Sequence, residues 1–442
     1  MTREHWGSRL GFILAAAGSA VGLGNVWKFP YLVGQNGGAA FVVTYLVLVL
    51  TIGATGMLAE MAIGRAAQKN PVGAFAVLKG GLWPVTGYLG VICGFLILGF
   101  YSVIGGWTIA YTVKMVDGTL TAPGLDFAAI FSGFVADPLE PLVYHAVFMA
   151  LTVGVVLKGV SAGIERWNKI LMPTLLVLLV VLIGRAVTLD GAMAGVEFYL
   201  KPDFSKINAD VVLAALSQAF FSLSIGMGAM ITYGSYLTRD QNLPRSTVMV
   251  IGLDTGVAIL AGLIVMPAVF AFGVTPGAGP GLTFITLPGV FQQMPGGTVF
   301  GAGFFLLLLF AALTSSVSLL EVPVAYLIDE LKVSRRTAVL VLGGIAFLIG
   351  IPSSLSLGIW ADFKVFGLPF LDLLDFITSK LIMPVGGLLM CLFAGWVVWP
   401  VMRREATNDG SVPFALLPVW NWLLKVVAPA AIAWILIQGL IG

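Results

Sequence analysis

The chain has 442 residues, of which 59% are hydrophobic and only 10% charged, with a net charge of +2. Soluble domains carry about 25% charged residues, and a globule this apolar lacks the polar surface to cover itself in water. A soluble enzyme and a disordered protein are therefore excluded, as is a nucleic-acid binder, whose phosphate-facing surface needs more positive charge. A bilayer-crossing helix needs about 20 apolar residues. Eleven such stretches follow in chain order: 10–35, 39–64, 85–116, 141–158, 168–187, 210–237, 246–274, 298–328, 336–352, 369–402 and 412–440. The expected class is an all-α polytopic membrane protein, one domain over residues 1–442.

Lysine and arginine concentrate in cytoplasmic loops. With the N-terminus inside, 15 of the 23 fall on the cytoplasmic side, five outside, and three within or at the edge of spans. An odd span count then leaves the C-terminus outside. Arg3 and Arg9 precede an apolar run ending in AAAGSA, the pattern of a signal-peptide cleavage region. The apolar stretch runs on into GLGN, so an uncleaved first span is the better reading. The longest polar stretches, 117–140 and 188–210, are external. A third outer segment, 275–297, carries Pro276, Pro280, Pro288 and Pro295 and reads as a folded lid. Cys93 and Cys391 sit in apolar runs and read as packing residues rather than a disulfide. His5 and His145 lack ligand-spaced partners. No nucleophile–base pair stands out, so an enzyme is not expected.

Two spans are interrupted. The first holds Gly18, Gly22, Gly24 and Asn25, and the sixth holds Ser222, Ser224, Gly226 and Gly228. Small residues in a span often serve only close helix packing. Here they recur in the leading span of two sets of five, 1–5 and 6–10, which the span count places in opposite orientations. Unwound backbone at membrane depth is tolerated where it lines a cavity. Freed N–H groups at a half-helix start favour an anion, and freed carbonyls favour a cation. The pattern points to a midplane site for an anionic group beside a cation.

RLGFILAAAGSAVGLGNVWKFPY (9–31), SQAFFSLSIGMGAMITYGSY (217–236) and LTSSVSLLE (313–321) resemble the first-, sixth- and eighth-span signatures of the neurotransmitter:sodium symporter family. The similarity runs over essentially the whole chain. It implies a 5+5 inverted-repeat fold with unwound first and sixth spans: 9–187 and 210–402 as the halves, 412–440 as an extra span. Eleven spans resemble a bacterial subgroup that carries several hydrophobic amino acids.

The resemblance also implies two bound sodium ions. One would take the Ala20 carbonyl, the Asn25 side chain, Ser222, Asp254 and the substrate carboxylate. Many relatives have asparagine at the Asp254 position. A fixed carboxylate there implies transport without chloride. The other ion would take the carbonyls of Gly18, Val21 and Ala311 and the hydroxyls of Thr314 and Ser315. The substrate carboxylate would meet the N–H groups around Gly22 and Gly24 and the Tyr101 hydroxyl. Its amine would meet carbonyls of Ala20, Phe221 and Ser222 and the Ser224 hydroxyl. Ile97, Phe221, Met227, Ser315 and Leu319 would wall its side chain. No wall residue is charged, and Gly22 supplies no partner for a monoamine, so a neutral, hydrophobic or aromatic amino acid is expected.

The outer gate would pair Lys28 with Asp375 above Tyr101 and Phe221, with Asp372 as the rival partner. Most relatives have arginine at the Lys28 position. The inner gate would pair Arg3 with Asp329, supported by Trp6, Ser235 and Tyr236. Gly163 and Pro173 would flank the start of the fifth span, where relatives unwind it. The expected function is sodium-coupled import of such amino acids by alternating access across the cell membrane. The partners are the substrate and the lipid bilayer, with no nucleic acid and no obligatory protein partner. A carrier of a small osmolyte of the glycine or betaine type, or an amino-acid sensor that does not transport, remains open at this stage.

Overall fold

A computed structural model describes residues 4–273 and 281–441; Arg3, Pro276 and Pro280 lie outside the described residues. The described chain is helical, without a named strand. The elements are α1 (Arg9–Ala20), α2 (Gly24–Gln35), α3 (Ala39–Ala67), α4 (Pro71–Leu78), α5 (Pro84–Val116), α6 (Phe127–Ala136), α7 (Glu140–Val156), α8 (Val160–Val187) and α9 (Ala192–Leu200). They continue with α10 (Ala209–Ser222), α11 (Ala229–Gly234), α12 (Leu243–Ala271), α13 (Leu287–Gln293), α14 (Gly297–Leu331), α15 (Arg335–Leu355), α16 (Phe370–Val397), α17 (Trp399–Ala406) and α18 (Leu417–Leu440).

Eight of these helices are long and apolar enough to cross a membrane alone. Two bent pairs add to them: α1 with α2 at 52° and α6 with α7 at 74°. The sixth expected span is the short apolar α10 followed by a break and α11. Helix starts follow ordinary capping chemistry, in which a side-chain oxygen takes a free N–H. Ser8 Oγ accepts from Gly11 N at 3.0 Å, Asn208 Oδ1 from Val211 N at 2.9 Å and Asn242 Oδ1 from Arg245 N at 3.0 Å.

The longest helices, α5 and α14, pack on each other most extensively and form the central seam. The lipid-facing side of the bundle is apolar: Val177, Val180 and Val181 on α8 are exposed. One expectation changes, and the outer segments gain detail. The polar stretches 117–140 and 188–210 each contain a helix, α6 and α9. The fifth span begins at Val160, so Gly163 and Pro173 lie inside it rather than flanking its start. Its first turn is wide, with Ile164 N bonded to Gly159 O at 3.0 Å. The described part of the expected lid carries a wide turn, Leu282–Thr286, and then α13.

Candidate functional site

Both helix breaks open onto one cavity. α1 stops at Ala20, Val21 turns extended with ψ 109°, and the chain resumes in a wide turn at Gly24. α10 stops at Ser222, and Ser224, Gly226 and Gly228 follow with φ +53°, +84° and +73°. Positive φ suits glycine and is strained for serine. At Gly226 an added Cβ would sit 2.5 Å from Met383 O. Its N–H donates to buried Glu60 Oε1 at 2.7 Å, which replaces a lost helical bond.

The cavity is narrow, with a volume of about 30 Å³. All the residues expected around substrate line it: Ala20, Gly22, Gly24, Ile97, Tyr101, Phe221, Ser222, Ser224, Met227, Ser315 and Leu319. Ser19 lines it too, its hydroxyl held by Ser318 Oγ at 2.7 Å. Tyr101 O–H sits 3.1 Å from Leu23 N, which donates to it. Gly22 leaves no spare room: an added Cβ would meet Ser315 Oγ at 2.6 Å and Tyr101 Oη at 2.9 Å.

One oxygen cluster lies on the α2–α10–α12 side. Asn25 Nδ2 donates to Asp254 Oδ1 at 2.7 Å and to Ser222 Oγ at 3.0 Å. Ser222 Oγ donates to the same carboxylate at 2.9 and 3.0 Å. Asn25 Oδ1 takes Gly22 N at 3.0 Å, which fixes the amide's orientation. Asn25 and Asp254 are fully buried. The carboxylate and the hydroxyl supply oxygens suited to a hard cation at this depth, while the Asn25 amide turns its Nδ2 to them and its Oδ1 to Gly22 N. Buried charge in a span is a functional feature by default.

A second cluster lies between α1 and α14. Ser315 Oγ donates towards the carbonyls of Val21, Ser19 and Gly18 at 3.0, 3.2 and 3.4 Å. Thr314 Oγ1 lies 3.0 Å from Ala311 O and 3.4 Å from Val21 O. The five expected groups are therefore together. Here the hydroxyls bond the carbonyls that a cation would share with them.

Above the cavity is a wider vestibule of about 330 Å³, and Tyr101 and Phe221 line both. Lys28, Asp372 and Asp375 all face the vestibule. The expected Lys28–Asp375 ion pair is not formed within 4.0 Å among the described residues. Lys28 Nζ instead stands 4.7 Å over the Phe221 ring, and Asp375 Oδ1 accepts from Ser379 Oγ at 2.8 Å. Lysine is a point charge on a flexible stem and can take an aromatic face in place of a carboxylate. Gln218 was not anticipated: its Nε2 donates to Gly24 O at 2.7 Å across the break.

The N-terminal end is closed. Trp6 Nε1 donates to Tyr233 O at 3.0 Å, and its ring packs on Phe12, Tyr233 and Tyr236. Ser235 is buried beside them and donates to Thr232 O. Asp329 Oδ2 accepts from Asn70 N at 2.8 Å; its expected partner Arg3 lies outside the described residues. The structure adds groups that sequence reading missed. Tyr236 donates to Glu321 at 2.7 Å, Glu321 pairs with Arg335 at 2.5 Å, and Glu165 takes Gly7 N at 2.6 Å and Ser8 Oγ at 2.8 Å. Glu321 is a charge inside an expected span, the one signal that pointed to it; Glu165 falls before the expected fifth span and carried none. Cys93 and Cys391 are separate buried thiols.

Residues 3–123 and 140–442 match the model of the sodium:neurotransmitter symporter family. The sodium-dependent transporter YhdH of Bacillus subtilis is 42% identical over 99% of this chain and 97% of its own length. The human sodium- and chloride-dependent creatine transporter 1 is 28% identical over 75% of this chain and 61% of its own. A crystal structure of MhsT in complex with L-phenylalanine superposes with a TM-score of 0.91 at 48% identity, covering 99% of this chain and all of that one. A match of this extent takes in the segments that form the broken helices and the oxygen clusters. It makes the chain a member of the sodium:neurotransmitter symporter family and a sodium-dependent transporter.

Proposed function

We propose that the protein imports neutral hydrophobic or aromatic L-amino acids, each with two sodium ions, by alternating access across the cell membrane. The observation that carries this reading is the cavity wall. Ile97, Phe221, Met227 and Leu319 surround its apolar part, and no lining residue is charged. The likeness to MhsT, crystallised with L-phenylalanine, supports the same substrate class. Methionine adapts to rings of different size. Residues 9–187 and 210–402 form the two inverted halves in this reading, and 412–440 stands outside them. The N-terminus is cytoplasmic and the C-terminus extracellular. Each net charge carried inward at 100 mV contributes about 2.3 kcal/mol to accumulation.

The cycle follows from the two ends of the site. Substrate and sodium enter through the open vestibule. Tyr101 and Phe221 close over them as Lys28 moves from the ring towards Asp375 or Asp372. The Trp6 plug then leaves Tyr233 and Tyr236, and the inner side opens. The test is a screen of the twenty amino acids for binding to purified protein, in sodium and in choline. Phenylalanine, tryptophan, tyrosine and leucine are expected to bind in sodium only. Binding of glycine or betaine alone would replace the substrate class. Binding without accumulation in proteoliposomes would make the protein a sensor.

Asp254 gives the chloride prediction. Its carboxylate places a fixed negative charge beside Asn25 and Ser222. Uptake is expected to be unchanged when chloride is replaced by gluconate. Uptake that collapses in gluconate would show that the carboxylate does not do this work.

A further inference from the structure

One buried oxygen on the seam between α1 and α8 has no bond. Asn168 on α8 is 2% exposed. Its Nδ2 donates to Ile164 O at 2.9 Å, one turn back, while its Oδ1 accepts nothing among the described residues. Buried acceptors are nearly always satisfied, so an orphan needs a reason. The Asn168 oxygen is aimed at Gly18, where an added Cβ would meet it at 2.0 Å. The same point lies 3.2 Å from Thr314 Cβ. Gly18 and Thr314 both belong to the second oxygen cluster.

The seam continues towards the N-terminal end. A Cβ on Gly11 would meet Glu165 Oε1 at 2.0 Å, so glycines at 11 and 18 let α1 lie directly on the polar edge of α8. Glu165 stands three residues before Asn168, and its carboxylate takes Gly7 N, Ser8 Oγ and Lys169 Nζ. Glu165 closes the wide first turn of α8, Val160–Glu165, a geometry that marks working positions in helices. Oxygens thus line the seam from the second cluster, through Asn168, to Glu165.

We propose that Asn168 Oδ1 is a stepping ligand for sodium as it leaves the second cluster along the α1–α8 seam towards the N-terminal end. This rests on the reading of the Gly18–Thr314 cluster as a sodium site. The ion exchanges the Gly18 carbonyl and the hydroxyls for the amide oxygen and water. Asn168 Nδ2 stays on Ile164, which keeps the oxygen pointed into the seam. A neutral oxygen suits a step, because it ligates a hard cation without the charge that would retain it.

The experiment separates leaving from binding. Asn168→Leu removes the oxygen at similar volume, and Asn168→Ala is the second variant should leucine not fold. Three quantities are measured: the sodium midpoint for amino-acid binding, net uptake into proteoliposomes, and labelled substrate exchange with saturating sodium on both sides. Net uptake requires sodium to leave; exchange under saturating sodium does not. Net uptake is expected to fall about fivefold, the loss of one polar contact on the path, with exchange and midpoint unchanged. Unchanged net uptake overturns the proposal. So does a parallel fall in exchange, which marks a structural role, or a shifted midpoint, which marks a resting ligand. Wild-type protein that binds amino acids without sodium overturns the parent reading instead.

Discussion

Asp254→Ala is expected to abolish sodium-dependent amino-acid binding while Asp254→Asn retains a weakened form of it. Asp254 is fully buried and accepts from Asn25 Nδ2 and from Ser222 Oγ. Alanine removes the charge that would face a cation and takes the carboxylate from the Ser222 hydroxyl, while Asn25 Nδ2 keeps only Ser222 Oγ and the backbone carbonyl at 254. Truncating one partner of a buried, hydrogen-bonded charged set costs about 2–5 kcal/mol. That corresponds to a rise of roughly 30-fold or more in the sodium needed for half-saturation. Asparagine keeps the shape and one acceptor oxygen for Asn25 Nδ2 and Ser222 Oγ, and loses the charge and the second acceptor. Titrating labelled substrate binding against sodium measures both variants. A wild-type sodium midpoint in Asp254→Ala would remove Asp254 from the site.

Gly226→Ala is expected to lose both stability and binding. The backbone at this position has φ +84°, where a Cβ costs about 1–2 kcal/mol. The added Cβ would also press on Met383 O at 2.5 Å, and a backbone atom cannot swing away. Any shift to relieve the clash pulls Gly226 N off Glu60. The neighbouring break residues Ser222 and Ser224 then leave the cavity wall. Gly410→Ala is the control: φ there is +88°, but nothing lies within 4 Å of an added Cβ. Thermal melting is expected to drop by several degrees more for Gly226→Ala than for Gly410→Ala. Equal drops would show that the contact with α16 does not matter.

The spans were legible because hydropathy is a local property and each long helix carries its own signal. The breaks were legible for the same reason, since Gly22, Gly24, Gly226 and Gly228 cluster within a few residues. Helices α6 and α9 were not legible, because apolar runs of ten and nine residues are too short to read as spans and sit among polar flanks. The start of α8 was missed by eight residues, because Val160–Arg166 mixes small and charged side chains that hide a wide turn. The composition of the cavity could be stated in advance because the span signatures are specific. The partners of Glu165, Glu321 and Asn168 could not. Each bond joins positions on separate helices or depends on which way a helix face turns, and a single sequence records neither. The Lys28–Asp375 pair shows the converse limit: both residues reach the vestibule, yet the local aromatic face decides where the ammonium rests.

The N-terminal segment has a practical consequence. Glu4 takes the N–H of Val160, His5 and Trp6 contact the carbonyls of Tyr236 and Tyr233, and Gly7 and Ser8 hold Glu165. Five consecutive residues thus clasp the start of α8 and the end of the broken sixth span. Affinity tags, fluorophores and fusion partners therefore belong at the C-terminal end, beyond α18, where they leave the clasp free to open and shut.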